Sequence, residues 1–194
     1  KDISIIKKLQ VDFLYLPKEK QIYANGLNKK IKINSLENIL CGKSRPGHFK
    51  AVTDVIDRFI RIIKPRKIYL GEKDMQQLLI VQDFVRRQKF KTKVIGCKTI
   101  REKNGIPYSS RNFLLSLKEK SVASKIYKSI FQLKHKLVKK QISLKIIKDK
   151  IYSLGVKKID YLEIHDVNKL IKSSKNKNKY KIFIAYYLRT TRLI

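Results

Sequence analysis

The chain has 194 residues, 43% of them apolar, and carries 47 basic against 15 acidic side chains for a net charge of +32. That length and apolar fraction provide for a buried core in one large or two small domains and exclude a disordered chain. The longest wholly apolar run, residues 182–188, falls far short of the ~20 residues that cross a bilayer, so no membrane span is expected.

In chain order, residues 1–9 read as the tail of a helix rather than as a signal peptide. Residues 11–16 (VDFLYL) form a short apolar run before Pro17, the pattern of a buried strand. Asn25-Gly26 supplies a turn, and residues 30–33 alternate like an exposed strand. A helical period follows: Phe49, Val52, Val55, Ile56, Phe59, Ile60 and Ile63 share one stripe, and Pro65 stops it. Residues 67–70 (KIYL) predict a strand closed by Gly71. Met75, Leu78, Leu79, Val81 and Val85 predict an amphipathic helix over 74–88, and residues 93–97 (KVIGC) the next strand. Strands alternating with helices of this length argue for βαβ units and a parallel sheet.

Beyond about residue 100 the pattern changes. Asn104-Gly105 marks a hairpin turn, and Ser116 with Glu119 fits a capping box at the head of a long helix. A second helix is expected over 143–154, ending at Gly155. Strands near 158–164 and 181–188 close the chain, with a polar Lys/Asn/Ser loop between them. This half reads as α+β.

The charge raises the question of nucleic acid, because a basic surface attracts phosphate polymers. It is spread evenly, with 23 basic and 9 acidic side chains over residues 1–99 and 24 and 6 over 100–194. Lysines outnumber arginines 37 to 10, whereas bidentate phosphate and base readout favours arginine. Codon bias toward Lys, Ile and Asn gives the same profile. Cys41 and Cys97 form no C-x-x-C pair, so neither a disulfide framework nor a zinc site is expected.

Three clusters carry chemistry. In Ile68-Tyr69-Leu70-Gly71-Glu72-Lys73-Asp74-Met75-Gln76-Gln77 a strand runs through a glycine turn into a helix N-terminus, where open α/β sheets bind anions. Lys73 adds a full positive charge there, although Asp74 as N-cap with Gln77 at N3 also makes an ordinary capping box. Tyr108-Ser109-Ser110-Arg111-Asn112 places hydroxyls and a guanidinium on a loop, suited to phosphate oxygens or to solvent alone. Cys41-Gly42-Lys43-Ser44-Arg45-Pro46-Gly47-His48-Phe49 enters a helix, where Arg45 and His48 either meet a carboxylate or cap that helix.

Taken together, R-P-G-H-F, then G-E-K-D-x-Q-Q-L, then S-S-R-N resemble the pattern of the pantothenate synthetase (pantoate–β-alanine ligase) family, from Val11 to the closing T-T-R-L-I at Ile194. The resemblance implies an incomplete Rossmann-like parallel sheet of the nucleotidyltransferase type over residues 1–99 and a small α+β lid domain over 100–194. It implies AMP-forming condensation of pantoate with β-alanine through pantoyl adenylate, in the cytoplasm, with ATP and Mg²⁺ and a homodimer at full length. No specific nucleic acid, membrane or protein-held metal belongs to that picture.

By the same resemblance Gly71, Glu72, Lys73, Asp74, Ile100, Tyr108, Ser109, Ser110 and Arg111 contact ATP. Among them Lys73, Ser109, Ser110 and Arg111 carry the catalysis. Gln77 holds pantoate, one helical turn beyond Lys73 and on the same face, and Arg45 and His48 are candidate pocket residues. The family's H-x-G-H stretch and a second pantoate-binding Gln have no counterpart in these 194 residues: His48, His135 and His165 stand alone. The reading therefore expects negligible turnover from this chain by itself. Cys41 replaces the Glu usual ahead of R-P-G-H-F. The alternatives are a basic nucleic-acid-binding module and a related nucleotidyltransferase acting on another acid.

Overall fold

Short helices lead into the first structural unit: α1 (Asp2–Lys8), which buries none of its residues, α2 (Glu19–Ile22) and α3 (Leu40–Ser44). The structure, a computed structural model, describes the whole chain except Lys1, Asn25, Lys29 and residues 171–177. Gly47, at φ +77°, turns the chain into α4 (His48–Ile63), and Lys64, at φ +50°, closes that helix ahead of Pro65. Strand β1 (Lys67–Gly71) pairs in parallel with β2 (Lys93–Cys97), Lys67 opposite Lys93 through Gly71 opposite Cys97. Helix α5 (Met75–Arg87) makes the crossover between them. Its apolar side packs Val81, Phe84 and Val85 on Ile60 of α4, and Leu78, Leu79 and Ile80 on Leu36 and Phe49. This is the expected βαβ unit.

The second unit is built on α6 (Leu117–Val138), α7 (Leu144–Ser153), β3 (Lys158–Asp166), α8 (Val167–Leu170), β4 (Tyr180–Leu188) and β5 (Thr191–Leu193). The three strands form an antiparallel sheet in the order β3-β4-β5. Ile126, Leu137, Ile147, Ile151, Leu162 and Leu188 are buried between that sheet and the helices. Ser116 and Glu119 close the predicted capping box reciprocally, and Gly155, at φ +92°, follows α7. Val167, Leu170 and Phe183 cross to the first unit and pack with Phe49, Met75 and Leu79. That contact sets the β3-β4-β5 sheet against the turn after β1.

Several expectations fail for identifiable reasons. Residues 11–16 are not a buried strand but exposed coil, with Phe13 91% exposed. Residues 30–33 keep an alternating burial, Ile31 being buried, without forming a strand. A strand needs a ladder partner for its backbone, and among the described residues the parallel sheet holds only β1 and β2. Within α4 the buried face takes in Asp54 and Asp57, while Ile63 is exposed. A buried carboxylate is tolerated only when paired. Arg58 supplies Asp54 with a 2.7 Å bond and Arg61 supplies Asp57 with one of 2.9 Å.

The Asp74/Gln77 capping box does not form, since Asp74 makes no side-chain cap bond and Glu72–Asp74 is a 3₁₀ turn ahead of α5. Lys73 and Gln77 therefore do not share one α-helical face. Of the Asn25-Gly26 turn, Asn25 lies outside the described residues. Gly26, at φ +68°, donates its N–H to the Tyr23 carbonyl at 2.9 Å. Residues 171–177 of the polar loop between the last predicted strands also lie outside them, and the loop's first part continues β3 to Asp166 and forms α8.

Candidate active site

The turn after β1 and the loop ahead of α6 face one cleft of about 510 Å³. Strand β1 ends at Gly71 in extended backbone, and the 3₁₀ turn Glu72–Asp74 then delivers the chain to α5. Unpaired N–H groups at a helix start and the helix dipole favour an anion there. Lys73 is 20% exposed, its ammonium 3.8 Å from the Asp74 carboxylate. The cleft wall carries Arg45, Lys73, Arg101, Arg111, Lys181 and Arg192 against Glu72 and Asp74. An excess of cations in a concave site draws a polyanion.

From the other side, the Ser109–Asn112 loop is shaped by its own hydrogen bonds. Ser109 Oγ accepts from the Arg111 N–H at 3.2 Å and starts a 3₁₀ turn, Ser110–Leu114. Asn112, 5% exposed, donates Nδ2 to Glu102 Oε1 at 2.7 Å and to the Pro107 carbonyl at 3.0 Å. These bonds fasten the loop to the Gly105 turn, whose ends meet in the Arg101–Pro107 bridge. The Asn112 Oδ1 is buried without a hydrogen-bond partner.

The structure thus brings together Arg45, His48, Glu72, Lys73, Asp74, Gln77, Ser109 and Arg111, all on the cleft wall. Gly71, Ile100, Tyr108 and Ser110 do not line it. Ile100 and Tyr108 are 73% and 64% exposed, joined by a Tyr108 N–H to Ile100 carbonyl bond of 3.1 Å. His48 opens α4, and burial, reinforced by the Arg45 charge and opposed by Asp74, holds its imidazole below the ordinary histidine pKa. The Glu72 carboxyl is held below the usual carboxylate range, chiefly by a hydrogen bond from Lys181.

Other cleft residues escaped the sequence reading. Gln76, beside the expected Gln77, is buried. It donates Nε2 to the Leu36 and Ile39 carbonyls at 2.6 and 2.7 Å and accepts from the Cys41 N–H at 3.0 Å. Cys41 Sγ lies 3.0 Å from the Tyr161 hydroxyl and 3.6 Å from Arg192 Nη2. Arg192 in turn donates Nε to Asp160 at 2.7 Å. Burial pushes the Tyr161 hydroxyl well above the ordinary tyrosine pKa. Arg192 sits in the T-T-R-L-I stretch, where a signal existed; Tyr161 and Lys181 offered none. Among the described residues no group of three His, Cys, Asp or Glu side chains could cage a metal ion, and no helix is long and apolar enough to cross a membrane.

Comparison with known proteins follows the same lines. The family model described as pantoate-beta-alanine ligase matches residues 1–194. A pantothenate synthetase of Sulfurihydrogenibium sp. (strain YO3AOP1) is 34% identical over 199 residues, covering 100% of this chain and 71% of that protein. One of Clostridium botulinum (strain ATCC 19397 / Type A) is 38% identical over 198 residues, covering 100% and 70%. The crystal structure of the pantoate-beta-alanine ligase of Francisella tularensis, complexed with beta-gamma ATP and β-alanine, superposes with a TM-score of 0.77 at 35% identity. It covers 99% of this chain, which spans 66% of that one. The pantothenate synthetase of Thermus thermophilus superposes with a TM-score of 0.83 at 28% identity, covering 99% and 71%. A match of this extent does not favour the nucleic-acid-binding alternative or a ligase for a different acid.

Proposed function

The chain belongs to the pantoate–β-alanine ligase family, and from that premise we propose that its cleft serves the ATP-dependent condensation of pantoate with β-alanine. In the first step a pantoate carboxylate oxygen attacks the α-phosphate of ATP, the bond to the β-phosphate oxygen breaks, and pantoyl adenylate and pyrophosphate result. In the second step the β-alanine amine attacks the acyl carbon, AMP leaves and the amine loses a proton, giving pantothenate. Such chemistry depends on positioning and on stabilising charge that spreads over the phosphate oxygens.

The observation that carries this reading is that Lys73 and Arg111, from two separate segments, line the same cleft. Lys73 places its ammonium on the phosphates from the turn after β1, and Arg111 and Ser109 close on them from the loop. Glu72 and Asp74 complete the turn beneath the nucleotide, and Gln77 on α5 orients pantoate with Arg45 and His48 near its carboxylate. Gly71, Ile100, Tyr108 and Ser110 take part through ordering of the loop and turn around bound ATP. An Mg²⁺ ion brought in on the phosphates needs only one or two protein carboxylates, and Asp74, about half exposed at the cleft wall, offers one.

Residues 1–99 act in this reading as the nucleotide-binding domain and 100–194 as the lid. At full length the protein works in the cytoplasm as a homodimer. Pantoate-dependent exchange of labelled pyrophosphate into ATP, measured with the chain joined to a front segment carrying the family's H-x-G-H stretch, tests the proposal, with exchange expected only when pantoate is present. Exchange driven instead by another acid, with pantoate inert, would sink it.

A further inference from the structure

The cleft contains an ion pair whose lysine has no role in the proposed chemistry. Lys181 Nζ lies 2.8 Å from Glu72 Oε2, joining residues 109 positions apart in sequence. Glu72 belongs to the turn that carries Lys73, and Lys181 is the second residue of β4. Both side chains line the cleft and both remain 29% exposed, so a ligand in the cleft can reach the ammonium. A lysine ammonium has three donors and no acceptor. Among the described residues Glu72 is its one hydrogen-bond partner, which leaves donors for a second acceptor.

A brace is a weak account of this pair, because a partly exposed salt bridge adds little to stability. Charge is a better one. Glu72 and Asp74 put two carboxylates on the very turn where a polyphosphate is to sit, flanking the single charge of Lys73. Left uncompensated, Glu72 would repel the ligand. Lys181 cancels it and keeps rotatable donors directed at the same space, and a compact ammonium suits phosphate oxygens approached from several directions.

We propose that Lys181 is a further nucleotide-binding residue, which bridges Glu72 and the polyphosphate from the β4 side of the cleft. Glu72 is then its positioning residue: it holds the ammonium in place before the nucleotide arrives. This rests on the ATP reading above.

The test measures affinity for ATP, ADP, AMP and adenosine in the wild-type chain and in Lys181→Met, Lys181→Gln and Lys181→Arg variants, with circular dichroism as the check of folding. Losing one charge-assisted phosphate contact should weaken ATP binding about tenfold or more. The penalty should shrink as phosphates are removed and vanish with adenosine. Lys181→Arg, which keeps the charge, should recover most of the loss, and Lys181→Gln decides the matter should Lys181→Met fail to fold. An unchanged ATP affinity, or the same penalty for ATP and adenosine, would overturn the assignment of Lys181. A wild-type chain that binds none of the three phosphorylated ligands would instead bring down the ATP reading itself.

Discussion

Replacing Asn112 by Ala cuts the fastening between the Ser109–Arg111 loop and the Gly105 turn. The lost bonds are one to the Glu102 carboxylate at 2.7 Å and one to the Pro107 carbonyl at 3.0 Å. A bond to a charged group contributes about 1.5–3 kcal/mol and a neutral one about 0.5–1.5 kcal/mol. Truncation also removes the unpartnered Oδ1, whose burial costs about 1–3 kcal/mol, so at the middle of each range the net destabilisation is about 1 kcal/mol. For a chain of this size that lowers the melting temperature by roughly 2–4 °C. Asn112→Asp should be worse at neutral pH, because it sets a second carboxylate against Glu102. Thermal unfolding followed by circular dichroism, together with ATP titration of each variant, measures both consequences. Ala should lower stability and ATP affinity together, since Arg111 loses its fixed approach. An Asn112→Ala protein as stable as wild type, or an Asp variant no worse than Ala at pH 7, would refute the reasoning.

The Glu72 carboxyl is held below the usual carboxylate range by Lys181, so the folded state binds its proton less readily than the unfolded chain. Its contribution is fully present above the ordinary carboxylate pKa and is lost as pH falls through the lowered one. Glu72→Gln should therefore flatten part of the acid limb of the stability curve, which urea unfolding at a series of pH values reads directly. The His48 imidazole, depressed by burial, should titrate below a free histidine in an NMR pH series. It should remain neutral at pH 7, and as pH falls through the ordinary histidine pKa toward the lowered one, its resistance to protonation should cost stability. Gly105 sits at φ +90°, where an added Cβ would also meet the Tyr127 ring. Gly105→Ala should destabilise through both the backbone strain and the displaced ring, giving a lower melting temperature.

What the sequence disclosed depended on how local the determining forces were. Helices α4 and α5 and strands β1 and β2 were legible because each shows its own period and its own terminator, such as Pro65 or Gly71. The Ser116/Glu119 box was legible because both partners lie within one turn. Residues 11–16 have the composition of a strand, but a strand exists only where a neighbour completes its ladder, and that is not written in the segment. Strand β5 is three residues long and follows Arg189 in a left-handed conformation, a turn no glycine announced. At the site, Lys73 and Arg111 could be named from their motifs, whereas the side that meets them could not. The Cys41–Tyr161 contact spans 120 positions and Lys181–Glu72 spans 109. Nothing short of the fold says which of the adjacent Gln76 and Gln77 turns inward to the Leu36 and Ile39 carbonyls.

The account stands on Lys73 and Arg111 acting on one bound nucleotide, and ATP titration of Lys73→Met and Arg111→Met variants tests it most directly. Each folded variant should lose ATP affinity by about tenfold or more, and the double variant should depart from additivity, as groups sharing one ligand do. Wild-type ATP affinity in both single variants would contradict it.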